Sequence, residues 1–157
     1  MEHAILGAGA IGGLLGAVLA SLGEGVTVLV RPESLRDYPA TLSLERPSGV
    51  IKVPVKVAAT LSSSVDVLWI ATKTYQLETA LHAVQSSPRC IIPLLNGVDH
   101  VGVLRAHFGR DRVLPGTIAV EAEKIAPGRL VQRSPIRESQ PSRRWRTSPG
   151  SDRRTTT

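Results

Sequence analysis

The stretch Ile5-Leu6-Gly7-Ala8-Gly9-Ala10-Ile11-Gly12-Gly13 constrains this chain more than any other. Glycines at 7, 9 and 12 spell G-x-G-x-x-G, after a very short apolar run and ahead of Leu14-Leu15-Gly16-Ala17-Val18-Leu19-Ala20, which reads as a helix. Between a strand and a helix, this pattern is the fingerprint of dinucleotide binding. Gly7 allows the tight turn out of the strand, Gly9 lets the backbone approach a pyrophosphate, and Gly12 lets the helix pack closely on the strand. Free N–H groups at the helix start, aided by its dipole, then hold phosphate oxygens. Gly7, Ala8, Gly9, Ala10, Ile11 and Gly12 are therefore candidate cofactor-binding residues.

A competing reading must be weighed. No residue from Ala4 to Leu22 is charged, and Gly9/Gly13 and Gly12/Gly16 form G-x-x-x-G pairs, as in membrane helices. Against a membrane-associated helix or signal peptide, no Lys or Arg precedes the run and Glu2 stands where a basic flank belongs. The following segment, Val26-Thr27-Val28-Leu29-Val30, is a β-branched strand, not a stop-transfer flank. The nucleotide loop is the better reading, and no membrane partner is expected.

The remaining strands are short and aliphatic. The chain is 42% hydrophobic but only 3% aromatic, which suits an α/β interior of Val, Ile, Leu and Ala. The expected order is strand His3–Leu6, helix Ile11–Leu22, strand Val26–Val30 and a hairpin of Leu42–Leu44 with Val50–Val57. Val65–Ala71 and Cys90–Leu95 read as strands buried on both faces, with a helix from Leu77 to Val84 between them and another over Val101–Phe108. Arg112–Ala122 and Arg129–Arg133 read as two more strands around Ala126-Pro127-Gly128. Together these predict a doubly wound, mostly parallel Rossmann-type sheet with helices on both faces.

Arg31 ends the second strand, where an NAD-binding chain carries an acidic residue for the ribose 2′-hydroxyl. A guidanium fork suits a 2′-phosphate instead, so the expected cofactor is NADP(H) rather than NAD. Cys90 is the only cysteine, which points to a reducing, cytoplasmic setting, and His3, His82, His100 and His107 lack metal-ligand spacing, so no metal is expected. The net charge of +6 is uneven: residues 136–157 hold six arginines against Glu138 and Asp152. The basicity belongs mostly to this Arg/Ser/Pro/Thr-rich stretch, which is expected to be disordered, and does not indicate a nucleic-acid partner. The NADP-binding domain is expected to span residues 1–135.

Three later segments narrow the field: Ala71-Thr72-Lys73-Thr74-Tyr75-Gln76, Pro93-Leu94-Leu95-Asn96-Gly97-Val98, and Gly116-Thr117-Ile118-Ala119-Val120-Glu121-Ala122 with Pro127-Gly128. With Arg31 they resemble the amino-terminal half of the ketopantoate reductase (2-dehydropantoate 2-reductase) family, over about residues 1–135. The resemblance implies NADPH-dependent reduction of a small 2-keto acid, 2-dehydropantoate, to (R)-pantoate, a step towards pantothenate. It implies that Gly7 to Gly12 bind the pyrophosphate and Arg31 the 2′-phosphate. Lys73 and Gln76 would lie by the cofactor, Asn96 near nicotinamide and substrate, and Glu121 or Ala122 against the cofactor.

The chain leaves the family pattern near Pro135-Ile136, as a truncated or frame-shifted product would. The family's helical second domain, with the lysine that donates the proton, is therefore expected to be absent. No catalytic residue is assigned here, and little or no turnover is expected of the chain alone. The face left by that domain would favour association, leaving room for a homo-oligomer. A non-catalytic NADP(H)-binding module, which would keep Arg31 and the glycines without needing Lys73, is the main alternative.

Overall fold

Each short apolar run becomes one strand of a parallel sheet, and the chain winds outward from its first strand in both directions. The computed structural model of the protein describes residues 1–134. The first sheet contains β1 (Glu2–Leu6), β2 (Gly25–Leu29), β5 (Lys56–Ala58), β6 (Val67–Ile70) and β7 (Cys90–Pro93) in the order β5-β2-β1-β6-β7. All its neighbouring strands are parallel. The winding direction reverses between β1 and β6, a topological switch point of the kind that opens a ligand crevice at the carboxyl ends of the strands. Helix α1 (Ala10–Ser21) covers one face, while α2 (Leu77–Leu81) and α3 (Asp99–Phe108) contribute to the core on the other.

A second, four-stranded sheet lies beyond α1. It is formed by β3 (Thr41–Arg46), β4 (Gly49–Pro54), β8 (Ala122–Ala126) and β9 (Arg129–Gln132) in the order β4-β3-β9-β8. Its strands are antiparallel except for the parallel β3–β9 pair. Leu42, Leu44 and Leu130 from this sheet join Ile5, Val26 and Val28 from the first in a core around Leu14 and Ala17 of α1. The layers are thus helices, parallel sheet, α1 and mixed sheet.

This arrangement accounts for the membrane-like character of Ala4–Leu22. The stretch divides into β1, a turn and the twelve-residue α1, which is apolar all round because a sheet covers it on each side. Among the described residues no helix is long and apolar enough to cross a membrane.

Three expected elements are corrected. Val50–Val57 is not one hairpin arm: β4 ends at Pro54, which lacks a ladder donor, and Lys56–Ala58 crosses to the parallel sheet beside β2. Arg112–Ala122 is not a strand. Val113 bridges Ile91, and the Leu114 and Gly116 N–H groups bond the Ile91 and Pro93 carbonyls, but Pro115 has no donor and regular structure among the described residues resumes only at Ala122. The helix expected to reach Val84 ends at Leu81, because Val84 pairs with Leu61 instead. The stretch 136–157 and the domain boundary at 135 lie outside the described residues.

The amino edge of the parallel sheet is fixed by polar contacts. The Glu2 N–H donates to Asp66 Oδ2 at 2.9 Å, and Arg89 Nη1 lies 3.5 Å from Asp66 Oδ1. The Glu2 N–H, and then the Arg89 charge, hold the Asp66 carboxyl below its usual range. Its contribution to stability is therefore present above the unfolded carboxyl value and lost as pH falls through the lower folded value. Asp66→Asn keeps an oxygen for the Glu2 bond but removes the titration. In acid unfolding followed by circular dichroism, the variant should lose less stability than the parent below about pH 4, with parallel curves from about pH 5 to 8.

Candidate functional site

The turn from β1 into α1 is built almost without side chains. Gly7 sits at φ 110°, and a Cβ there would lie 2.8 Å from the Ala71 carbonyl, so the turn is pressed against the end of β6. A Cβ on Gly12 would meet the Gly7 carbonyl oxygen and approach Ile5 Cγ2 to 2.9 Å. Gly9 differs, since a Cβ there would have no atom within 4 Å. Gly7 and Gly12 serve packing, while Gly9 borders open space.

Helix α1 begins with no side-chain cap and no acidic residue in its first turn. Gly13 N–H donates to the Gly9 carbonyl at 2.9 Å, and the N–H groups of Ala10, Ile11 and Gly12 have no intrahelical acceptor. Uncapped donors at the positive end of the helix dipole, beside the space at Gly9, fit an anionic ligand such as a pyrophosphate.

The other predicted residues stand in the loops that follow β2, β6 and β7. Arg31 is exposed at the start of a 3₁₀ turn (Pro32–Ser34), just past β2. Lys73 is exposed at the start of the corresponding turn (Thr74–Gln76) past β6, where the half-buried Gln76 donates its N–H to the Lys73 carbonyl at 2.9 Å. Asn96 is exposed past β7, ahead of Gly97 at φ 86°. Because β2, β1, β6 and β7 are adjacent and parallel, Arg31, the glycine turn, Lys73 with Gln76, and Asn96 follow one another along a single edge. Three strand spacings put the outer loops on the order of 14 Å apart. Among the described residues neither Arg31 nor Lys73 is in an ion pair.

Glu121 arrives from the other sheet. The chain leaves the end of β7, where Gly116 N–H bonds the Pro93 carbonyl at 3.2 Å, and runs to β8. There the Glu121 N–H donates to Ser134 Oγ at 3.0 Å and its carbonyl accepts from Arg133 N–H at 2.8 Å. Sequence reasoning missed Thr72, whose buried hydroxyl has no hydrogen-bond partner among the described residues beside the glycine turn. It also missed the packing role of Gly13, where a Cβ would lie 2.6 Å from Leu130 Cδ2. Neither has a local signal, since both depend on which segments the fold brings together. Among the described residues no group of three or more His, Cys, Asp or Glu could hold a metal.

The family model for ketopantoate reductase PanE/ApbA matches residues 3–138. The chain belongs to this family. It is 35% identical to the 2-dehydropantoate 2-reductase of Caulobacter vibrioides over 136 residues, which is 83% of this chain and 45% of that protein. Identity to the enzyme of the same name from Halobacterium salinarum is 30%, over 82% of this chain and 45% of the relative. The solved 2-dehydropantoate 2-reductase of Geobacter metallireducens superposes with a TM-score of 0.72 at 26% identity, over 84% of this chain and 46% of that one. A D-mandelate dehydrogenase solved with NADH and anilino(oxo)acetate shares the fold, with a TM-score of 0.73 at 21% identity over 85% and 46% of the two chains. The chain thus spans under half the length of these ketopantoate reductase relatives, and its parallel sheet corresponds to their amino-terminal part.

Proposed function

We propose that this chain seats NADPH along the carboxyl edge of its parallel sheet and serves the reduction of 2-dehydropantoate to (R)-pantoate. The observation that carries this reading is the uncapped start of α1 beside Gly9, flanked in the same edge by Arg31 on one side and Lys73 on the other. Gly7 to Gly12 hold the pyrophosphate through backbone N–H groups, and the Arg31 fork holds the 2′-phosphate. Bound NADPH supplies the hydride. Lys73 and Gln76 border the cofactor, and Asn96 offers an amide beside the nicotinamide and substrate. Glu121 approaches from the second sheet, at the end of a segment that starts beside β7.

Reduction of a 2-keto acid also needs a proton for the new alkoxide and a seat for the carboxylate. We assign both to the part of the family's proteins that this chain does not match. Acid catalysis alone contributes about 10²–10⁴ in rate, so the chain by itself should oxidise NADPH slowly or not at all with 2-dehydropantoate. A cytoplasmic setting agrees with Cys90 being the only cysteine.

The test is equilibrium titration of the purified, folded chain with NADPH and NADH, followed by addition of 2-dehydropantoate. NADPH should bind about tenfold tighter or more, equivalent to about 1.4 kcal/mol. Equal affinities would overturn the NADP assignment, and no binding of either would overturn the site. Rapid NADPH oxidation by the chain alone would overturn the placing of the proton donor elsewhere.

A further inference from the structure

His3, near the amino end of β1, and Trp69, in the carboxyl half of β6, form a pair to which the nucleotide reading gives no role. His3 is only 5% exposed and lies on the same face of β1 as Ile5, beneath α1. Trp69, on β6, packs against the same core and donates from Nε1 to His3 Nδ1 at 3.2 Å. An indole nitrogen can only donate, so His3 Nδ1 must present a lone pair. Neutral His3 therefore carries its proton on Nε2, which lies 3.7 Å from Glu24 Oε2 in the α1–β2 turn.

We propose that His3 is a proton-operated latch on Trp69. Neutral His3 holds the indole N–H. A proton taken up from solvent binds Nδ1, turns the acceptor into a donor and sets two N–H groups against each other. The indole is then released, and the imidazolium is held by the Glu24 carboxylate.

The charged groups around His3 divide. Glu24 faces it directly and is also bonded to the Met1 ammonium. Asp66, before β6, is shared with the Glu2 N–H and Arg89. Glu2 itself lies 3.8 Å from Lys56 at the start of β5. The latch bears on the site because β6 carries Trp69 and runs into Ala71, against which Gly7 packs.

Trp145→Phe leaves Trp69 as the only indole, so its N–H signal can be followed unambiguously in ¹⁵N-labelled chain from pH 5 to 8. At pH 8 the imidazole nitrogen shifts should place the His3 proton on Nε2. On acidification the Trp69 indole resonance should move with the same midpoint as His3. In His3→Gln, whose side-chain oxygen can accept the indole bond without titrating, that movement should vanish while circular dichroism stays unchanged. If His3→Gln does not fold, Glu24→Gln replaces it and should lower the shared midpoint. A proton on Nδ1 at pH 8, a Trp69 movement that survives in His3→Gln, or a midpoint unmoved in Glu24→Gln would overturn the latch.

Discussion

Gly12→Ala should cost the protein a large part of its stability, whereas Gly9→Ala should leave the fold intact and damage only nucleotide binding. At Gly12 the new methyl would run into the Gly7 carbonyl oxygen and Ile5 Cγ2. The first obstacle is backbone and cannot rotate away, so the cost falls at the upper end of overpacking penalties, about 3 kcal/mol. For a domain of this size that lowers Tm by on the order of 10 °C. At Gly9 the methyl meets no atom, and the backbone, at φ −83°, is one that alanine adopts freely. Losing a glycine from the unfolded ensemble then raises stability by about 0.4–1 kcal/mol. The same methyl enters the space assigned to the pyrophosphate, and NADPH affinity should fall by about tenfold or more, equivalent to about 1.4 kcal/mol. Thermal melts beside fluorescence titrations separate the two effects. Parent-like NADPH binding by Gly9→Ala would mean that the pyrophosphate does not sit at the start of α1.

Arg31→Ala should act on one nucleotide and spare the other. Arg31 is exposed and among the described residues forms no ion pair, so its removal should change stability little. Its proposed partner, the 2′-phosphate, is present in NADPH and absent from NADH. A hydrogen bond to a charged group contributes about 1.5–3 kcal/mol, so NADPH affinity should drop by roughly 10- to 150-fold while NADH affinity changes less than about twofold. Arg31→Lys should fall between, keeping the charge but losing the bidentate fork. The NADPH preference should also shrink as salt is added, because the contact is solvent-facing. Equal losses for both nucleotides would recast Arg31 as a general attractor, and no loss would remove the turn after β2 from the site.

Much of this was legible in the residues themselves. Val67–Ile70 is a continuous apolar run because its strand is covered on both faces, and that composition is visible without coordinates, whereas at the sheet edge Cys90–Pro93 buries only the face of Ile91 and Pro93 and leaves Cys90 and Ile92 half-buried. Gly7, Gly9 and Gly12 revealed the strand–turn–helix unit because each spacing has its own steric requirement. What stayed hidden depends on contacts between distant segments. The alternation of Leu42–Leu44 with Val50–Val57 marks a hairpin but not the sheet it joins, and it runs on through Pro54, so the crossing into β5 leaves no break in the pattern. Ile118 and Val120 give the 112–122 segment a strand-like composition, yet among the described residues no strand pairs with them. The uncharged helix resembled a membrane segment because Gly13 faces Leu130 and Gly16 faces Leu42, both from a sheet that local periodicity cannot place. His3 and Trp69 meet only through the register of β1 with β6. The edge carrying Arg31, Lys73 and Asn96 was readable because each follows its own strand.

The position of α1 between two sheets also sets an order of assembly. During synthesis β1, α1 and β2 emerge first, and they suffice to cover one side of the glycine helix. Its other side waits for β3, β4 and, last of all, β9, whose Leu130 closes over Gly13. That closure joins Ser43 to Arg129, segments far apart in the chain, and loop entropy makes such long-range parallel pairing slow. Until it happens the nascent chain carries an apolar helix with one bare side. β9, the last strand among the described residues, therefore acts as a clasp, finishing the support of a glycine turn that was translated more than a hundred residues earlier.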